Sequence, residues 1–147
     1  MLIKGKEFTR KKALRWVVIG TAVCILLIVL RWCGSGTPDC STAEGREAYL
    51  HSLGWEIDPA SEEYRSVKIP ESFDGVMEDY VQMQTEQGFE LEKHRGETCG
   101  QYCYVVTNYP NCRDTVYAIL YVSGKTVLGG DIHTASLSGF MHGLVKK

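Results

Sequence analysis

Residues 115–122 read TVYAILYV and residues 126–134 read TVLGGDIHT, with only residues 123–125 (SGK) between them. The first segment is apolar at nearly every position, which is typical of a central strand that is covered on both faces. The short polar connection predicts a tight hairpin between the two segments. Gly129 and Gly130 predict a bulge, or a close approach of another group to the backbone, within the second strand.

Further strands are predicted on both sides of this pair. Residues 98–107 (TCGQYCYVVT) are rich in β-forming residues, and a turn follows at residues 108–111. Upstream, residues 55–57 and 64–69 predict a hairpin of two short strands. Residues 135–144 could form either a terminal strand or a turn of helix. Because the connections are short, we expect neighbouring strands to be antiparallel.

Two helices are also predicted. Ser41 and Glu44 have the spacing of a capping box, which predicts a helix that begins there, runs to Leu53 and stops at Gly54. A second helix follows from apolar residues at helical spacing, with Gly88 as its C-terminal glycine. The inward face of that helix is predicted to hold Phe73, Val76, Met77, Tyr80, Val81 and, as its one polar member, Gln84.

The order of elements in residues 41–147 is therefore α-β-β-α-β-β-β. Consecutive elements joined by short loops favour an α+β domain, with a mainly antiparallel sheet and its helices on one face. A chain of this length is enough for one hydrophobic core.

Residues 16–30 (WVVIGTAVCILLIVL) carry no charge, and six Lys/Arg against one acid precede them. Extended to residues 13–32, the segment reaches the roughly 20 residues that a single transmembrane helix needs. The cations before it favour a cytoplasmic basic tail at residues 1–12. Residues 33–40 would then be a linker, and residues 41–147 an extracytoplasmic domain at the cell membrane.

A cleaved signal peptide is the alternative interpretation of the same segment, since its apolar core also fits that length. Residues 30–36 read LRWCGSG, which places Arg31 and Trp32 where a signal peptide has small residues. We therefore favour an uncleaved single-pass anchor, and the lipid bilayer is the partner of residues 13–32.

The charge of the predicted domain limits its partners. From residue 39 onward the chain holds nine Lys/Arg and seventeen Asp/Glu, a net charge near −8. This acidity argues against nucleic-acid binding, which depends on neutralising phosphates with cations. It is compatible with simple solubility or with a cationic partner. The predicted partner is an unknown envelope protein or a small ligand.

Four cysteines fall in the predicted domain, namely Cys40, Cys99, Cys103 and Cys112. Disulfides persist outside the cell, so each is a candidate for one. Cys99 and Cys103 are four apart in a predicted strand and would stand about 13 Å apart, beyond the reach of a disulfide. Cys112 could bridge either of them or Cys40, so the pairing stays open. The spacing is not that of a zinc site.

Candidate catalytic or metal-binding residues are few. Asp131 and His133 share one face of a predicted strand, and His142 could join them around a metal if the C-terminal end folds back. Cys99 or Cys103 with His133 is a weaker candidate for a thiol nucleophile. Because the sequence has no G-x-S-x-G, P-loop or H-E-x-x-H motif, neither site is favoured, and no cofactor is predicted.

Many of these segments together resemble an uncharacterised domain family. They are Arg46, Tyr49, Leu50, residues 52–57 (SLGWEI), Ile69-Pro70, Phe73-Asp74, Tyr80, Gln84, residues 87–89 (QGF), residues 108–110 (NYP), Gly130-Asp131 and residues 139–144 (GFMHGL). This set is similar to the family numbered 4830 among the domains of unknown function, which is found in membrane-anchored or secreted proteins of Gram-positive bacteria. The resemblance implies a bacterial envelope location, and it assigns no catalytic residue to this chain.

Two functions are consistent with these observations. The favoured one is a non-catalytic binding or interaction module at the cell envelope. The rival is a thiol- or metal-dependent envelope enzyme that uses Cys99 and Cys103, or the Asp131, His133 and His142 set. A further set of aromatic residues could line a groove, although core packing is the commoner role for such residues. These are Trp55, Tyr102, Tyr104 and Tyr109.

Overall fold

The computed structural model describes residues 37–136 and 138–145. The predicted transmembrane helix at residues 13–32 lies outside these ranges. Within them, no helix is both long enough and apolar enough to cross a membrane.

The described chain forms an α+β domain with one five-stranded antiparallel sheet, in which the strands lie side by side in sequence order. The elements are α1 (Ala43–Ser52), β1 (Ile57–Lys68), α2 (Val76–Glu86), a 3₁₀ helix (Leu91–His94), β2 (Thr98–Val106), β3 (Val116–Ser123), β4 (Thr126–Thr134) and β5 (Met141–Gly143). The α+β class, the antiparallel pairing and the hairpin between β3 and β4 are confirmed. The predicted order α-β-β-α-β-β-β is wrong, since one strand precedes α2 and four follow it.

The predicted hairpin of two short strands before α2 is wrong. One long strand, β1, occupies this region and pairs with β2 instead. Its register shifts between Asp58 and Glu63, where Pro59 has no N–H to donate. At the shift, Ser61 Oγ accepts a hydrogen bond from the Val105 N–H (2.8 Å). Because β1 is an edge strand, it accommodates both the proline and the irregular register.

The helix ends follow the predicted chemistry with two corrections. Thr42, not Ser41, is the N-cap of α1, because its Oγ1 accepts from the Gly45 N–H (3.1 Å) while Ser41 bonds to Asp39. Helix α2 begins only at Val76, whose side chain is 85 % exposed instead of facing inward. At the C-terminal ends, the glycines at positions 54 and 88 have positive φ and close both helices, as predicted.

The two helices pack on opposite faces of the sheet, so the prediction of helices on one face is wrong. Leu50 of α1 packs in one cluster with Leu120 and other inward residues of β2, β3 and β4. Val81 of α2 packs in a second cluster, with Tyr121 against it. Since adjacent strand residues point to opposite faces, Leu120 and Tyr121 assign the two clusters to different sides.

A buried ionic contact ties α1 to the sheet. The Arg46 guanidinium donates to the Tyr104 hydroxyl (2.8 Å), the Glu62 carboxylate (2.8 Å) and the Cys40 carbonyl (3.1 Å). It also lies 3.7 Å from the centre of the Tyr102 ring. Burial works against ionisation of Glu62, but the hydrogen bonds from Tyr104 and Arg46 lower its pKa. The contact therefore holds α1 over β1 and β2.

Helix α2 is fixed to β4 by a side-chain amide. The fully buried Gln84 donates from Nε2 to the Gly130 carbonyl (3.0 Å) and accepts at Oε1 from the Gly130 N–H (2.9 Å). It thus takes both main-chain groups of Gly130, as a neighbouring strand would. Gln87 completes the contact, because its Oε1 accepts from the Leu144 N–H (2.5 Å). The predicted bulge is confirmed, since the register skips Leu128.

Replacing Gln84 tests this contact. Gln84→Leu puts an apolar side chain of similar size in the same place but leaves the buried Gly130 N–H without a partner. We therefore expect it to lower the free energy of unfolding by about 3 kcal/mol. Gln82→Leu, on the exposed side of the same helix, should change it by less than about 0.5 kcal/mol. Urea unfolding of the full chain in detergent micelles gives both values. Equal losses in the two variants would contradict the assignment.

Candidate functional site

An open groove of about 790 Å³ runs beside β5. Its boundaries come from four separate parts of the chain: α2, the segment after α1, the turn after β2, and β5 with the residue beyond it. The lining residues are Trp55, Met83, Glu86, Gln87, Tyr109, Pro110, Met141, His142, Gly143 and Val145. Most of these side chains are apolar, so the groove offers a largely dry surface to a ligand.

Stacked rings form one wall of the groove, which we call the aromatic wall: Trp55, Tyr109, Phe140 and His142. The Trp55 and Tyr109 rings are parallel within 1°, with centroids 5.7 Å apart. Tyr109 stacks in turn on Phe140 at 4.8 Å, and the His142 ring lies 5.5 Å from Phe140. Such offset stacking stabilises the rings beyond the area they bury. The wall is therefore formed before any ligand arrives.

Hydrogen bonds fix the polar edges of this wall. Trp55 Nε1 donates to the Leu144 carbonyl (2.6 Å). His142 Nδ1 lies 2.7 Å from the Gly143 carbonyl, which can only accept, so we assign the ring hydrogen to Nδ1. His142 Nε2 then accepts from the Tyr109 hydroxyl (3.0 Å). With their polar atoms paired, the rings present apolar faces to the groove.

Two of the lining residues are exposed although they are apolar. Met141 is 55 % exposed and Val145 is 48 % exposed. Methionine is flexible and polarisable, so Met141 and Met83 can adapt their shape to an apolar group between them. Exposed apolar residues that border a concave surface are typical of binding sites. The groove is thus suited to hold an apolar or planar group by burial and stacking.

A second, polar cleft of about 390 Å³ lies on the sheet face that α2 covers. Asp131 is only 2 % exposed there, and its Oδ1 lies 2.8 Å from His133 Nδ1. Its Oδ2 accepts from the Tyr80 hydroxyl (2.8 Å). Gln101 donates to Tyr121 (3.1 Å) along the same cleft. The carboxylate therefore orients the imidazole and leaves Nε2 directed away from this bond.

The charge state of this cleft follows from the same contacts. The hydrogen bond that His133 donates to the Asp131 carboxylate raises the pKa of His133, although burial works in the opposite direction. Burial and the Asp131 carboxylate raise the pKa of Tyr80 well above its ordinary value, so its hydroxyl keeps its proton and donates it. The pair can hold a proton on His133 next to a buried anion.

The predicted metal set of Asp131, His133 and His142 does not assemble. The C-terminal end does fold back, as β5 pairs with β4, but His142 is directly opposite Ile132. Ile132 points to the face opposite that of Asp131 and His133, so His142 faces the aromatic wall instead. Within the described ranges, no group of three His, Cys, Asp or Glu residues could hold a metal ion.

The four described cysteines are free, so the structure forms none of the disulfides considered from the sequence. Burial, together with Glu63 and Asp131, raises the pKa of Cys103, and burial raises those of Cys40 and Cys99. A thiol nucleophile needs a lowered pKa. His133 is hydrogen-bonded to Asp131, and the described chain places no hydrogen bond between it and Cys99 or Cys103. The geometry does not assemble a thiol site.

Of the four aromatic residues considered from the sequence, only two line the groove. Trp55 and Tyr109 do, whereas Tyr104 is buried in the core and the Tyr102 ring packs against that of Tyr64 at a tilt of 48°. The methionines and Val145 were not predicted, because nothing local in the sequence joins positions that far apart. Residues 109–110 were a sequence signal that could have indicated the groove, because a tyrosine before a proline in a turn presents a rigid apolar surface.

Several segments that resemble the domain family meet at this groove, including Trp55, Gln87, residues 109–110 and residues 140–143. Comparisons of the chain with protein-family models, with curated proteins and with solved structures find no match. The family resemblance stays a prediction.

The pH dependence of stability tests the Asp131–His133 contact. The pKa of His133 is raised from 6.5 on folding, so its contribution to stability is complete below pH 6.5 and is lost as the pH rises through the folded-state pKa. We expect the difference in unfolding free energy between the wild type and His133→Gln to fall as the pH rises above about 6.5 and through the raised folded-state pKa of His133. A flat difference for His133→Gln would contradict the contact.

Proposed function

We propose that this chain is a single-pass, membrane-anchored binding module of the bacterial cell envelope. Its extracytoplasmic domain binds an apolar group of an envelope protein or small ligand in the groove and performs no catalysis. The observation that supports this most is the groove itself, about 790 Å³ with a preformed aromatic wall facing exposed apolar residues. The uncharged residues 16–30 support the anchor.

The groove has the energetics of a binding site. Burying apolar surface stabilises a complex by about 25 cal/mol per Å², so one large side chain supplies about 1.5–3 kcal/mol. Because stacking and hydrogen bonds already hold the aromatic wall, little side-chain ordering opposes binding. The polar side-chain atoms of Gln87, Trp55 and His142 are engaged within the protein. The side chains of the groove would therefore recognise a ligand by shape and apolar contact.

The position of the domain matches this role. A linker at residues 33–40 would tether the domain to the anchor. The net charge near −8 disfavours contact with anionic lipid headgroups, so the groove would stay open to solutes and to other envelope proteins. Cationic partners would be attracted over a Debye length of about 8–10 Å.

The rival function is an envelope enzyme, and one observation favours it. Asp131 holds the His133 imidazole in a single orientation within an open polar cleft, as a general base requires. The cleft supplies no activated nucleophile beside it, since burial raises the pKa of Cys103. The groove is thus the better-supported site. If the groove binds no ligand, the polar cleft becomes the favoured site.

Short soluble peptides test the proposal. The probes are Gly-flanked peptides with lysine at both ends and Trp, Leu or Gly at the centre, titrated by calorimetry into the full chain in lipid nanodiscs. We expect the Trp and Leu peptides to bind at least about tenfold more tightly than the Gly peptide, because one large apolar side chain is buried. Met83→Asp, a change in the groove at a residue that does not line the polar cleft, should abolish that difference.

A matched control is available on α2. Val76→Asp changes an equally apolar but more exposed residue outside the groove, so it should leave the affinities unchanged. Equal affinities for the Trp, Leu and Gly peptides would contradict the proposal. So would binding that survives Met83→Asp and is lost in His133→Gln, since that result would place the site in the polar cleft.

A further inference from the structure

The outer side of β5 is an unpaired sheet edge. The Thr134 N–H donates to the Phe140 carbonyl (3.1 Å), so positions 134 and 140 are a hydrogen-bonded pair. Such pairs recur at every second residue of an antiparallel ladder, which makes Ile132 and His142 the next one. The main-chain groups of Met141 and Gly143 therefore point away from β4.

These outward groups are available to a partner. β5 is the last strand of the sheet, and in the described chain the Met141 N–H and C=O and the Gly143 N–H have no hydrogen-bond partner. The Gly143 carbonyl is already close to His142 Nδ1. Beyond the strand, Gln87 and Trp55 take the main-chain groups of Leu144. The open edge is thus short and has a defined end.

The groove lies along this same edge. All three residues of β5 line it, together with Met83 of α2 and Gln87, which follows that helix. An open strand edge beside an apolar groove is what β-strand addition uses, in which main-chain bonds give affinity and side-chain pockets give specificity. A flat apolar ligand would use the aromatic wall and leave the edge unpaired.

We propose that the groove binds an extended, cationic peptide segment, which pairs with Met141 and Gly143 as a sixth strand of the sheet. This rests on the proposed function and names the class of its ligand. A peptide residue opposite His142 points to the same face as His142 and meets the aromatic wall, so it is large and apolar. Basic residues on either side complement the domain charge near −8.

The test uses peptides whose main-chain donors can be removed. The probe is a heptapeptide library with lysine at both ends and Val or Thr alternating with varied residues, screened on the full chain in nanodiscs. Each peptide that binds is then N-methylated at one position at a time. Because alternate N–H groups of an added strand face β5, we expect methylation at every second position to weaken binding at least about tenfold, or about 1.4 kcal/mol.

Methylation at the intervening positions should change affinity less than about twofold, since those N–H groups point away from β5. On the protein side, Met141→Pro removes the Met141 N–H, and Met141→Ala removes only the side chain. Met141→Pro should weaken binding about tenfold beyond Met141→Ala. Urea unfolding of both variants reports whether they fold, and the methylation pattern on the wild type stands independently of them.

The outcomes separate this proposal from the proposed function. Peptides that bind with no alternation in the methylation pattern, and whose binding Met83→Asp abolishes, would overturn strand addition and leave the groove as the binding site. A library with no binder would also overturn strand addition. In that case the Trp, Leu and Gly peptides decide the proposed function separately.

Discussion

The bond between the Gln84 amide and the Gly130 main chain is the contact on which the rest of the domain depends. One buried side chain satisfies both the N–H and the C=O of Gly130, which pairs with β3 on one side and has no strand partner on the β5 side. Buried main-chain groups without partners are costly, so the contact fixes the position of α2 against β4. The glycine at 129 allows it, since a Cβ there would lie 2.8 Å from Gln84 Oε1.

The same helix determines where the groove forms. Gln87, one turn beyond Gln84, takes the Leu144 N–H, and Leu144 in turn accepts from Trp55. The chain therefore leaves the β4 ladder after β5 and passes the aromatic wall. As a result, β5 pairs with β4 over three residues and presents its other side to the groove. The position of α2 therefore accounts both for the side-chain amide contacts and for the open edge of β5.

The sequence predicted the features that depend on local pattern. The apolar run of β3, the β-forming residues of β2 and the glycine that ends each helix identified their elements correctly. The region of β1 was mispredicted because Pro59 and its neighbours resemble a turn, although an irregular edge strand accommodates them. The one polar residue on the inward face of α2, Gln84, was the strongest sequence signal of the contact that organises the domain.

The site was less predictable because it depends on register. The sequence placed Asp131 and His133 on one face of a strand and let His142 join them if the end folds back, but the pairing of β5 with β4 places His142 on the other face of the sheet. The groove combines residues from α2, the turn after β2 and β5, and no local pattern joins them. The alternation of hydrogen bonds along β5 determines which of its residues point their main-chain groups outward. The amino-acid composition of the strand does not determine this alternation.

Amide hydrogen exchange, residue by residue on the full chain, tests this account most directly. The N–H groups of Gly130, His142 and Leu144 are bonded to Gln84, β4 and Gln87, so they should be protected close to the global unfolding limit. The N–H groups of Met141 and Gly143 should exchange orders of magnitude faster, because they face the groove unpaired. Fast exchange at Gly130, or equal protection along residues 141–144, would contradict both the amide contact and the open edge.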